Sequence, residues 1–134
     1  MALFAGQIIR AKDLVPTEWQ PVEFVSPWHN FGSGWADCQF RYDPVKDEVE
    51  IKGTVDGRNA DGTSSIGAES HVFTLPPGYR PVSNGAVAAG HVSSPYTSSV
   101  LVRFYASGEV WLQGANSLTQ PVVSINNVRM YVGD

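Results

Sequence analysis

Apolar and polar residues alternate over Val49-Glu50-Ile51-Lys52-Gly53-Thr54-Val55, with Val49, Ile51 and Val55 on one face and Glu50, Lys52 and Thr54 on the other. A period of two predicts a strand buried on one side and wet on the other. Short runs of the same kind recur from Trp19 onward, each bounded by turn residues. Val22–Val25 and Ala36–Tyr42 are predicted strands, the second with Cys38, Phe40 and Tyr42 on a shared face. Asp43-Pro44-Val45-Lys46-Asp47 turns the chain into Glu48–Val55, which predicts an antiparallel hairpin. Glu69–Leu75 and the small-residue run Ala86–Val92 follow; Val100–Tyr105 and Val110–Gln113 form a second hairpin across Ala106-Ser107-Gly108-Glu109, and Val122–Val132 closes the chain. Roughly eight such strands predict an all-β fold, an antiparallel β-sandwich of jelly-roll type rather than a closed up-and-down barrel.

Residues 1–17 break this pattern. Ala11-Lys12-Asp13-Leu14-Val15 has the makings of one helical turn that Pro16 stops, and a turn that short is not stable alone. The expected organisation is an attachment arm over residues 1–17, docking on a neighbouring copy or a larger assembly, and a jelly-roll head over residues 18–134.

Length and composition narrow the picture. A chain of 134 residues fits one domain. Charged residues make up only 16%, against about a quarter in ordinary soluble domains, which predicts surface hidden against copies of the chain. Ala86-Val87-Ala88-Ala89-Gly90 is an apolar run that symmetric self-association would cover. The net charge is −4 and the nine basic residues are scattered, with no cluster beyond Arg10 and Lys12, so no nucleic-acid partner is expected. Cys38 is the lone cysteine; it forms no intrachain disulfide and reads as a small buried apolar residue. Met1–Gly6 lacks a basic region followed by a long apolar run, and no stretch is long enough to span a bilayer, so neither signal-peptide export nor membrane insertion is expected.

Several of these pieces together resemble the head domains of bacteriophage tail receptor-binding and minor tail proteins. They are Phe4-Ala5-Gly6-Gln7 followed by Ala11-Lys12-Asp13-Leu14, the Gly34-Trp35 pair, the Val49–Val55 strand, Leu75-Pro76-Pro77-Gly78-Tyr79-Arg80-Pro81, Ser107-Gly108-Glu109-Val110 and the terminal strand. The resemblance implies a homotrimeric jelly-roll head on a phage virion, made in the host cytoplasm, that contacts a host cell-surface saccharide. Other virion proteins would be met through the arm, with Phe4, Gln7 and Leu14 as attachment residues. A short spike, a tail-tip appendage and a capsid-surface fibre head all fit, as does a capsid decoration or head-fibre protein that binds no receptor.

Catalytic chemistry finds little support. A glycosidase needs two carboxylates on opposite sides of the scissile bond, whereas Glu48 and Glu50 are neighbours on one strand face. There is no Gly-x-Ser-x-Gly elbow, and Ser70 and His71, adjacent in a strand, point to opposite sides. A Cys38–His29 pair is set aside because a strand cysteine is more often core. Asp56-Gly57-Arg58-Asn59-Ala60-Asp61-Gly62 lacks the ligand spacing of a calcium loop and reads as a mobile polar loop. His29, His71 and His91 lack zinc spacing within one chain, although a trimer axis would present any of them three times. No catalytic residue, metal or cofactor is therefore expected. Saccharide recognition needs an aromatic platform and a few planar polar groups, and the loop candidates are Trp28, His29, Asn30, Tyr96 and Asn116. Tyr96 stands out because Ser, Pro and Thr around it mark a loop tip. Trp28 and Trp35 read more readily as plugs at a sandwich end, and Trp111, between Val110 and Leu112, as core or trimer interface.

Overall fold

A computed structural model describes residues 15–133. The expected turn at Ala11–Val15 falls outside this range except for its last residue, and the attachment candidates Phe4, Gln7 and Leu14 lie wholly outside it. Among the described residues there are eleven short strands: β1 (Gln20–Pro21), β2 (His29–Asn30), β3 (Gln39–Asp43), β4 (Glu48–Lys52), β5 (Thr54–Asp56), β6 (Glu69–Thr74), β7 (Gly85–His91), β8 (Val100–Phe104), β9 (Glu109–Gln113), β10 (Val122–Ser124) and β11 (Val128–Tyr131). They form two antiparallel sheets, one of four strands in the order β1-β3-β4-β11 and one of seven in the order β2-β5-β10-β7-β8-β9-β6. The fold is the expected all-β sandwich. No helix among the described residues is long and apolar enough to cross a membrane.

The core is what alternation dictates. The smaller sheet contributes Phe40, Val49, Ile51, Val128 and Met130, and the larger contributes Val55, Phe73, Val100, Val102, Val110, Leu112 and Val123, all buried. Cys38 is buried among them. Burial, with the charge of Asp37 adding to it, pushes its thiol far above the ordinary range, so Cys38 is an inert packing residue, as expected.

Both predicted hairpins form, β3 with β4 and β8 with β9. In the first, Asp43 Oδ1 accepts from the Val45 N–H at 3.0 Å, which stabilises the turn from within.

Four expectations change. The predicted strand Val22–Val25 makes only a bridge between Phe24 and Phe73, while β1 begins two residues earlier. One backbone bond accompanies that bridge, from Val25 N to Val72 O at 2.8 Å. The predicted strand Glu48–Val55 is cut at Gly53, which has a φ of +116° and passes the chain from the smaller sheet to the larger. Val122–Val132 is cut at the matching place. Ile125 N donates to Gly53 O at 2.9 Å and Asn126 Oδ1 accepts from Gly53 N at 2.8 Å, so both segments change sheet at one shared crossing.

The fourth concerns the wet face of Val49–Val55. Glu50 does point outward, in a cross-strand row with Arg41 and Arg129, yet it is only 7% exposed. The two guanidinium groups, at 3.3 and 3.0 Å, cover it. Thr54, beyond the crossing, is fully buried. Arg41 and Lys52 each lie 4.4 Å from the Trp19 ring, so much of the basic charge on this sheet is engaged within the molecule.

Candidate functional site

Antiparallel pairing brings the starts of β2, β6, β8 and β10 and the ends of β5, β7 and β9 to one end of the larger sheet. The connections there form a rim of loops over residues 26–28, 57–68, 92–99 and 114–121. Backbone bonds tie them together. Gly57 N donates to Pro121 O at 2.9 Å, Thr119 N to Ser94 O at 2.7 Å and Gly114 N to Ala68 O at 2.9 Å. Gln120 N also donates to Ser93 Oγ at 2.9 Å. The three loop stretches singled out from the sequence thus meet at one end of the molecule.

Their individual residues divide. Tyr96 is 73% exposed, and its ring lies parallel to that of His91, 6.2 Å between centroids and 7° between planes. His91 is held from both sides, with Nδ1 2.8 Å from Ser93 O and Nε2 3.0 Å from Ser98 O. Both partners are backbone carbonyl oxygens, so the ring is fixed in place and in orientation beneath Tyr96. Asn116 is exposed on the short 3-10 turn Ala115–Ser117.

In Trp28-His29-Asn30 only the middle residue presents itself to solvent. Trp28 is 3% exposed; its Nε1–H donates to Ser70 Oγ at 2.8 Å, and a Cβ on Gly57 would come within 2.9 Å of the ring. It is a prop beneath the rim and not a platform on it. Asn30 is committed too, its Oδ1 accepting the Cys38 N–H at 2.7 Å. His29 lines an open cleft of about 390 Å³ with Ser26, Pro27, Arg58 and Asn59. Trp35, expected to plug the sandwich, is 45% exposed.

Two side chains of that cleft, His29 and Arg58, converge on one buried carboxylate. Asp56 is 3% exposed, and Arg58 clamps it with Nε 3.1 Å from both carboxylate oxygens and Nη2 2.8 Å from one. His29 Nε2 lies 3.5 Å from the same carboxylate. Burial alone would push the Asp56 carboxyl up, but the hydrogen bonds and charge of Arg58, with His29 behind them, outweigh it and hold the group below its ordinary value of 3.8. A depressed carboxyl adds stability above the unfolded value and loses it as pH falls through the folded one. Asp56→Asn is therefore expected to lower stability at neutral pH by about 1–3 kcal/mol, and the gap to the parent should narrow in acid, once the pH has fallen well below 3.8. Urea titrations at both pH values check this; a gap of equal size in acid would refute it.

Asp56–Gly62, read from the sequence as a mobile polar loop, is bonded internally and to the residues that follow: Asp61 Oδ1 accepts from Thr63 Oγ1 at 2.6 Å and from its N–H at 3.0 Å, and Asn59 N donates to Thr63 O at 2.7 Å. No three His, Cys, Asp or Glu side chains converge among the described residues. Glu48 and Glu50 share the Arg129 guanidinium, at 4.0 and 3.0 Å, and form an ion-pair network.

Sequence reasoning missed one further group of polar and aromatic side chains. On the outer face of the larger sheet, register aligns His71, Trp111 and Arg103 across three adjacent strands. Trp111 is half-buried on that face while Val110 and Leu112 point into the core. Alternation around Trp111 was visible in the sequence; its neighbours across the ladder were not.

No protein-family model matches the sequence, and no characterised protein matches it as a relative. Among solved structures, the receptor binding protein (gp15) of Listeria phage PSA superposes with a TM-score of 0.71 at 14% identity, over 92% of this chain and 68% of that one. The chain therefore has the fold of that protein through nearly all of its length.

Proposed function

We propose that the chain is a non-enzymatic virion surface protein of a bacteriophage whose rim loops bind a host cell-surface saccharide during adsorption. The observation that carries this reading is the shared fold with a phage receptor binding protein over 92% of the chain, joined to a rim where an exposed tyrosine rests on a fixed imidazole. His29, Tyr96 and Asn116 are the contact residues; Trp28 and Asn30 act by holding the loops. The protein works as a homotrimer, attached to other virion proteins through residues 1–17. The outer face of β7, with Ala86, Ala88 and Gly90 exposed in mid-sheet, offers a flat apolar surface for a second copy. Three rims on one particle multiply a weak single-site affinity.

Fluorescently labelled protein, applied to a panel of bacteria that begins with Listeria, is expected to stain susceptible cells and to block phage adsorption. Tyr96→Ala should reduce staining at least tenfold, about 1.4 kcal/mol, at unchanged melting temperature. A protein that docks to particles yet neither stains cells nor blocks adsorption is a structural decoration, and the proposal fails.

A further inference from the structure

The geometry points to a second carbohydrate-binding site, separate from the rim: a cleft on the outer face of the larger sheet that takes one neutral pyranose ring against Trp111. The cleft holds about 230 Å³ and is lined by Glu69, Tyr105, Ser107, Glu109 and Trp111. That is below the roughly 300–1,000 Å³ of sites for drug-sized ligands, which suits a single sugar unit rather than a buried chain.

Its side chains are fixed before any ligand arrives. Trp111 Nε1–H donates to Glu109 Oε1 at 3.0 Å, and the indole stacks on His71 at 5.1 Å and 12°. Arg103, Trp111's registered neighbour on β8, reaches over β9 to Glu69 Oε1 at 2.8 Å and Gln113 Oε1 at 3.3 Å. Its guanidinium also lies 5.8 Å from the Tyr105 ring. A sugar presents an apolar C–H face and a rim of hydroxyls, and this cleft offers aromatic surface beside planar donors and acceptors. Ordering such side chains on binding otherwise weakens affinity, and here the sheet has already ordered them.

Charge selects the class of sugar. Glu69 is matched by Arg103, whereas Glu109 is held by the Trp111 N–H and the Ser107 hydroxyl, with Oγ 3.4 Å from Oε2. The cleft keeps a net negative charge and repels phosphate- or carboxylate-bearing units. The site stands on these contacts whether or not the rim binds a receptor.

The test is a titration of the full ¹⁵N-labelled chain with methyl glucoside, methyl galactoside and N-acetylglucosamine, following the tryptophan indole N–H signals. The Trp111 signal, assigned through Trp111→Phe, is expected to shift saturably with at least one sugar at a Kd of about 1–10 mM. The other indoles should stay in place and Tyr96→Ala should bind equally well. Trp111→Ala should abolish binding, and Glu109→Gln, which preserves size, should weaken it several-fold. No saturable shift with any of the three sugars overturns the site, as does an equal shift with inorganic phosphate or glycerol. Unchanged affinity in Glu109→Gln overturns it even if Trp111→Ala fails to fold. Movement of the Trp111 signal on dilution without sugar also overturns it, because the cleft is then covered by a second copy.

Discussion

Gly53→Ala is expected to cost more stability than any other single methyl group added to this chain. At a φ of +116° an L-residue is strained by about 1–3 kcal/mol. The new Cβ would also stand 2.5 Å from Asp37 O, Cys38 N and Cys38 Cα, backbone atoms that cannot rotate away. Overpacking of this kind costs about 1–3 kcal/mol or more, so the sum takes a large share of the roughly 5–15 kcal/mol available to a domain. Gly62→Ala separates the two contributions, because Gly62 also has a positive φ, +87°, but nothing within 4 Å of its Cβ position. Urea midpoints are expected to fall slightly for Gly62→Ala and severely for Gly53→Ala. Equal losses in both would show that the shared crossing is not tightly packed.

The same glycine marks where reading the sequence stops. The β8–β9 hairpin was legible because its turn chemistry is local: Gly108 takes a φ of +93° between two alternating runs, and no distant residue is needed to place it. The crossing at Gly53 is different in kind. One glycine within Val49–Val55 leaves the period of two intact, and what bends the chain there is a contact with Ile125 and Asn126, more than 70 residues away. Local alternation names which residues face inward, but it does not say which sheet they enter.

The candidate site divides along the same line. Gly, Pro, Ser and Asn placed Tyr96 and Asn116 outside strands, as they are, whereas His29 and Asn30, also read as loop, form the short strand β2 paired with β5. Antiparallel pairing then gathered all three stretches at one end. What composition could not reveal was side-chain direction within Trp28-His29-Asn30, where Trp28 turns in and His29 turns out. The Trp111 cleft was hidden for a related reason, since its walls come from β6, β9 and the turn between β8 and β9, and β6 meets the other two only through register. Glu50 shows the reverse case. Its outward direction was legible, but its burial was not, because Arg129, which covers it, joins from β11 at a sequence distance of 79 residues.

Trp28→Ala is the second large effect expected, and it separates a prop from a contact. Removing a fully packed tryptophan costs about 3–5 kcal/mol, which corresponds to roughly 10 °C or more in Tm for a domain of this size. The loss should reach the rim as well, because the ring fills the space under Gly57 and its N–H occupies Ser70; the loop carrying Arg58 and Asn59 would lose its support. Trp28→Phe keeps most of the apolar volume and gives up the hydrogen bond, a loss of about 0.5–1.5 kcal/mol. Cell staining by the two variants is therefore expected to follow their melting temperatures, nearly normal for phenylalanine and poor for alanine. If phenylalanine instead left Tm almost unchanged while abolishing staining, the indole itself would be touching the receptor. The rim would then have to open on binding to expose a side chain that is 3% accessible in the free protein.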